Sequence, residues 1–147
     1  MEIKILKVRE VNTPSRGTDE SAGLDFYLPA GETLVIPPHQ KVLVPSGIKV
    51  SIPKNHALIA FNKSGVAAKK GVIVGSCVVD SDYQGEIHLQ LINTTNDVQL
   101  FYPNEKVTQF ILLPIVLANP VIVNSESDLW LKDSQRGSGG FGSTGTF

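Results

Sequence analysis

The 147-residue sequence holds a single cysteine, Cys77, so no internal disulfide framework can staple it, and a lone thiol fits a reducing compartment. Charge of one sign is not in excess: 13 basic residues stand against 14 acidic ones, and a net charge of -1 lays out no field for nucleic acid or an anionic membrane. No apolar run approaches the ~20 residues of a membrane-crossing helix. The opening MEIKILKVRE threads charges through its apolar positions and does not read as a signal peptide. His39, His56 and His88 share no zinc-ligand spacing with Cys77. There is no internal repeat. The expectation is a soluble, cytoplasmic protein that partners neither nucleic acid nor membrane, long enough to bury about two-thirds of its unfolded surface.

What the sequence does contain is strand-forming. Ile3, Ile5 and Val8 alternate with charges, and β-branched runs follow at 34–36, 42–50, 57–61, 72–74, 87–92 and 107–116. Turn residues punctuate them at 29–31, 37–38, 53–55, 93–96, 103–104 and 119–120. This pattern predicts an all-β fold, a jelly-roll-like barrel or sandwich with one short helix and a glycine-rich C-terminal arm. The helix is expected over Ser64–Lys70, opened by a capping serine and closed by Gly71. The nearly continuous apolar run from Val107 to Leu117 predicts a strand buried on both faces, with its cover supplied by another subunit. Two parts are expected: a β-barrel domain over 1–135 and a flexible arm over 136–147.

The arm, RGSGGFGSTGTF, cannot build a core, because glycine loses the most entropy on ordering and adds no apolar surface. It offers backbone N–H groups, hydroxyls, the forked cation of Arg136 and the ring of Phe141, equipment for closing over a phosphorylated aromatic ligand. Gly137, Gly139 and Gly142 spell GxGxxG, but no βαβ unit surrounds them. Gly140 and Gly145 match the glycines of a P-loop, but Thr146 stands where the phosphate-gripping lysine belongs.

Three further segments carry candidate chemistry. In Val78–Ile87 an apolar strand runs into two acids, a tyrosine and a glycine, which reads as a β-hairpin with Asp80 and Tyr83 at its tip. Asp80 abuts the apolar strand, is expected to be partly buried, and could act as a general base toward water. SAGLD places Asp25 after small residues that allow close backbone approach. Asn62–Gly65 puts a cation and a hydroxyl at the start of the expected helix, a ready anion site.

In their order these segments resemble the five motifs of the trimeric dUTPase family: SAGLDF, NKSGVA, VGSCVVDSDYQGEI, EKVTQFIL and RGSGGFGSTG, over nearly the whole chain. The resemblance implies hydrolysis of dUTP to dUMP and pyrophosphate by a homotrimer with shared sites and Mg²⁺ on the triphosphate. By the same similarity Asp80 is the general base, Gln109 lies near the attacking water, and Asp25 reaches the metal through coordinated water. Lys63, Ser64 and Gly65 match a phosphate-binding segment; Arg136, Gly142, Ser143 and Thr144 match groups around the terminal phosphate; Phe141 matches a ring over the uracil. Gly75, Ser76, Val78, Val79 and His88 would enclose the base, and Tyr83 would lie beneath the sugar and exclude a 2′-hydroxyl. Cytosine would leave buried polar groups unpaired there, at about 1–3 kcal/mol each. The chain departs from the family pattern at Asn62-Lys63, where Pro-Arg is usual, at Cys77 for glycine, and at Lys106 and Thr108 for Arg and Ala. Two other readings on the same fold are a dCTP deaminase-like enzyme, which needs a glutamate base beside the pyrimidine and extra serine and arginine around the second motif where this sequence instead keeps DSDY, and a non-catalytic regulatory or structural protein.

Overall fold

The computed structural model describes residues 2–140. Eleven strands and two short helices are formed among them: β1 Lys4–Lys7, β2 Leu24–Tyr27, β3 Leu34–Ile36, β4 Lys41–Pro45, β5 Ile48–Ser51, β6 His56–Asn62, α1 Ser64–Lys70, β7 Val72–Val74, β8 Val78–Val79, β9 His88–Asn93, β10 Gln99–Phe101, β11 Lys106–Pro114 and α2 Glu126–Leu129. They make four small sheets: β1-β5, β10-β3, β2-β11-β6-β8 and β4-β9-β7, with every pairing antiparallel. The all-β, jelly-roll-like expectation is met. None of the described helices is long and apolar enough to cross a membrane.

The core forms where alternating side chains of these sheets meet. Phe26 and Phe110 stack tilted with centroids 4.4 Å apart, and Ile36, Leu58, Leu91 and Phe101 are fully buried around them. Full burial of side chains of this size stabilises by about 1.5–3 kcal/mol apiece. Two buried polar groups are satisfied locally. Asn93 donates to the carbonyls of Ile36, Pro37 and Asp97, and the Thr108 hydroxyl donates to the Phe61 carbonyl at 2.8 Å, so threonine costs nothing in hydrogen bonding at this position.

Four expectations are corrected. The run 42–50 is two strands, because the chain turns at Ser46-Gly47 with Gly47 at φ +75°, and Ser46 Oγ accepts the Ile48 N–H at 3.1 Å. Ser64 is the first helical residue of α1 rather than its cap; Lys63 occupies the cap position without a side-chain bond to the helix, while Gly71 closes the helix in the left-handed conformation as expected. There is a second helix, α2, announced by a serine cap that the composition hid: Ser125 Oγ accepts the Asp128 N–H at 3.2 Å. Finally, Val78–Ile87 is no β-hairpin. β8 pairs with β6 and β9 pairs with β4 and β7, so the segment is a corner between two sheets.

The described residues divide into two compact units that part between Val116 and Leu117. In the first, β11 is well covered at Val107, Thr108 and Phe110 but exposed at Leu113, so its second half lacks a full cover within the chain. In the second, Ile122, Trp130 and Leu131 are exposed.

Candidate functional site

The corner creates a slot. β7 runs beside β9 as far as Gly75, whose N–H still donates to the Gln90 carbonyl at 3.0 Å. Two residues later the chain has changed partner: the Ala60 N–H donates to the Cys77 carbonyl at 2.7 Å, and Val78 and Val79 face Ile59 and Leu58 of β6. Between the strand that left and the strand it left behind opens a cavity of about 180 Å³, lined by Ser76, Cys77, Val78, Val79, Asp80, Tyr83, Ile87, His88 and Phe110. Residues from two sheets thus line one recess, the kind of concave setting in which a small ligand can be held.

Of the residues expected around a base, Ser76, Val78, Val79, Tyr83 and His88 line this slot together, whereas Gly75 is not part of its lining and packs against the Gln90 side chain. Cys77 has negative φ, so it replaces glycine without strain, and its Sγ donates to the Gly75 carbonyl at 2.9 Å. Asp80 is exposed rather than partly buried, because β8 ends at Val79 and the carboxylate follows the strand out to the rim of the slot. The Tyr83 hydroxyl donates to the Glu86 carbonyl at 2.9 Å, and its ring lies against Gly85, where a Cβ would collide with the phenol.

A second cluster lies elsewhere on the four-stranded sheet. Asp25 and Gln109 are directly opposed in the β2–β11 register, while Phe110, the next residue, points to the other face and floors the slot. β2 is three strands from β8, about 14 Å away. Asp25 is buried and each oxygen meets an ammonium: Lys63 Nζ lies 2.9 Å from Oδ1 and Lys106 Nζ lies 2.8 Å from Oδ2. Burial pushes this carboxyl up, but hydrogen bonds from Lys106 and Lys63 outweigh it and hold it below the ordinary aspartate range. Gln109 Nε2 donates to the Asn62 carbonyl at 2.9 Å, and Gly23 leaves just enough room for its side chain.

Lys63 anchors the start of α1 through Asp25, and Lys70 anchors its end through Glu105 Oε1 at 2.6 Å and the face of Phe101, 4.0 Å from the ring centroid. The exposed Ser64 and Gly65 are therefore presented on a helix fixed at both ends. The two groups of residues, slot and cluster, are thus not brought together within one chain. Arg136 is exposed, its Nε donating to the Gly139 carbonyl at 2.9 Å; Phe141, Gly142, Ser143 and Thr144 fall outside the described residues.

Sequence reasoning missed two participants. Phe110 looks like one more apolar residue of a strand, and only the register reveals it as a floor. Lys106 stood out as a lysine where arginine is usual, as did Lys63; the signal available was that two such replacements of the same kind share one partner, Asp25.

A family model described as dUTPase matches residues 9–145. The deoxyuridine 5'-triphosphate nucleotidohydrolase of Legionella pneumophila strain Philadelphia 1 is 36% identical over 154 residues, covering 100% of this chain and 97% of that protein. The Chlamydia pneumoniae protein of the same name is 38% identical over 134 residues, covering 90% of each. Among solved structures, a mutant dUTPase of Staphylococcus bacteriophage 80alpha with dUpNHpp has a TM-score of 0.87 at 20% identity, covering 99% of each chain, a likeness of fold.

Proposed function

The chain belongs to the dUTPase family, and on that premise we propose that it hydrolyses dUTP to dUMP and pyrophosphate. The observation that carries the reading is Asp80, an exposed carboxylate at the rim of a slot walled by Ser76–Val79 and His88 and bounded by Tyr83. A pyrimidine fits such a recess with its edge against peptide groups. The deoxyribose then rests on the Tyr83 ring, which leaves no room for a 2′-hydroxyl, and the triphosphate trails past Asp80.

Asp80 takes a proton from a water whose oxygen bonds to the α-phosphorus. The bond from that phosphorus to its bridging oxygen breaks, and pyrophosphate leaves with the electron pair. The phosphates need cations and donors. On this chain Gln109 points to the opposite face of the sheet from Phe110, and Lys63, which opens the Ser64–Gly65 segment, is paired with Asp25 across from Gln109, so none of them lines the slot. That separation supports a homotrimer with shared sites, in which one subunit's slot works with another's Lys63–Gly65 segment and a third's Arg136–Thr144 arm, Phe141 covering the base. The incompletely covered second half of β11 favours the same assembly. A cytoplasmic location belongs to this reading.

Mg²⁺ fits only as a passenger on the triphosphate. Among the described residues no three His, Cys, Asp or Glu side chains converge, and both Asp25 oxygens already face ammonium groups. Because two ammonium groups leave the Asp25 cluster net positive, Asp25 would meet the ion only through its hydration shell and only when the triphosphate carries it. Bound there, the ion would neutralise charge on the phosphates.

Pyrophosphate release from dUTP, dCTP, UTP and dTTP, with and without Mg²⁺, tests the reading. Selective cleavage of dUTP is expected. Ammonia release from dCTP would favour the deaminase, and nucleotide binding without turnover would favour the non-catalytic protein.

A further inference from the structure

We infer that Glu86, clamped by Arg9, is a positioning residue that sets where Tyr83 and His88 stand and thereby governs discrimination at the sugar. The inference rests on the function proposed above. Its basis is the number of chain segments that meet on one residue. The Glu86 carboxylate accepts Arg9 Nε at 2.7 Å and the Gly47 N–H at 2.7 Å on Oε1, and Arg9 Nη2 at 3.1 Å on Oε2. Its main-chain carbonyl accepts the Tyr83 hydroxyl and faces His88 Nδ1, both at 2.9 Å. The side chain grips the frame of the domain while the backbone grips two residues of the slot.

The slot wall needs such a tether. Residues 81–84 are all exposed and supply no side chain to the core, and the next fully buried residue is Ile87. A segment with so few buried contacts opens locally at little cost unless something else holds it. A two-pronged guanidinium–carboxylate pair resists rotation as well as separation, which a single contact does not. Arg9 is itself held, since Gly47 is packed against the Arg9 and Val11 side chains and the Val8 N–H donates to the Gly47 carbonyl at 2.8 Å. The Tyr83 ring on Gly85 is the far end of this chain of contacts, and it is the ring that a 2′-hydroxyl would have to displace.

The test compares the wild-type protein with Arg9→Met, Arg9→Lys and Glu86→Gln, measuring kcat and KM for dUTP and for UTP. Arg9→Met should leave kcat for dUTP within about twofold and lower the dUTP-to-UTP ratio of kcat/KM by roughly tenfold, the scale of a small misplacement at a binding wall. Arg9→Lys should recover part of that ratio, and the Arg9→Met/Glu86→Gln double variant should be no worse than the worse single one. A ratio unchanged in folded Arg9→Met protein, or an equal loss for both nucleotides, overturns the inference. Should Glu86→Gln fail to fold, Arg9→Met carries the comparison, because Arg9 is half exposed. Amide hydrogen exchange across 81–86 is read alongside and should quicken in Arg9→Met; no change there overturns the tether whatever the activity. A wild-type protein that leaves dUTP intact sinks the proposed function instead, and the exchange measurement still decides the tether.

Discussion

Lys106 Nζ sits 2.8 Å from Asp25 Oδ2, and this contact crosses the one irregular step of the β2–β11 ladder, between Lys106 and Thr108. The bulge offsets Lys106 so that it lies across from Tyr27, and from there its ammonium reaches the carboxylate two residues along β2. With Lys63 on the other oxygen, one buried acid carries two cations and leaves the cluster with a net positive charge. A lysine pair lacks the fork of two arginines, so each partner holds Asp25 at a single point.

Removing that carboxylate should cost stability. Asp25→Asn is expected to destabilise by about 1–3 kcal/mol, a discounted figure because both lysines reach solvent. The sign with pH follows from the depressed folded value. The stabilisation is present above the ordinary aspartate value near 3.8 and is lost as pH falls through the lower folded value. Urea unfolding between pH 3 and pH 7 should show the wild-type curve dropping at the acid end, and the Asn variant should be flatter there. Parallel curves would remove Asp25 from the account.

Asp80 should behave oppositely. Its carboxylate is exposed and outside the core, so Asp80→Asn should unfold at the wild-type urea midpoint. Turnover of dUTP should fall by roughly 10²–10⁴, the usual worth of a positioned base, while an uncleavable analogue still binds. Calorimetry together with single-turnover kinetics separates the two. A variant that cleaves at near-normal speed would show that the base lies elsewhere.

Gly85→Ala places a methyl group where the Tyr83 phenol lies, and the ring must move. The expected result is a KM for dUTP raised by about tenfold with UTP affected less, on a fold whose melting temperature shifts by only a few degrees. If both nucleotides respond alike, the ring does not report on the sugar.

Shared sites make a stronger prediction than subunit counting. Asp80→Asn and Gln109→Ala proteins, each inactive alone, should regain a fraction of activity after being unfolded and refolded together, since mixed trimers would contain some sites with neither lesion. Light scattering should give three chains throughout. An equal mixture that stays inactive would mean that both residues must come from the same chain.

Much of this was legible in the order of residues. β-branched runs located most strands, and Gly71 marked the end of α1. Local signals failed where the deciding contact was remote. The apolar run at 42–50 hid its turn, because Ser46-Gly47 interrupts it for only two residues. Val78–Ile87 has the punctuation of a hairpin, yet its two ends find partners in β6 on one side and β4 with β7 on the other. The Glu86–Arg9 pair spans 77 positions and leaves no trace in either neighbourhood. Slot residues were nameable only because motif order substituted for geometry.

The corner at 75–79 has a consequence for how such a protein can change over time. Its wall residues Ser76 and Val78 are exposed, while the side chains that hold the sheets together, such as Leu58, Leu91 and Phe101, lie outside the slot. Substitutions that retune which base is accepted can therefore accumulate without drawing on the stability reserve that mutation usually depletes. Phe110 and Ile87 are the exceptions, because each lines the slot and belongs to the core as well. Laboratory evolution toward a new pyrimidine should sample 76 and 78 freely and leave 87 and 110 alone.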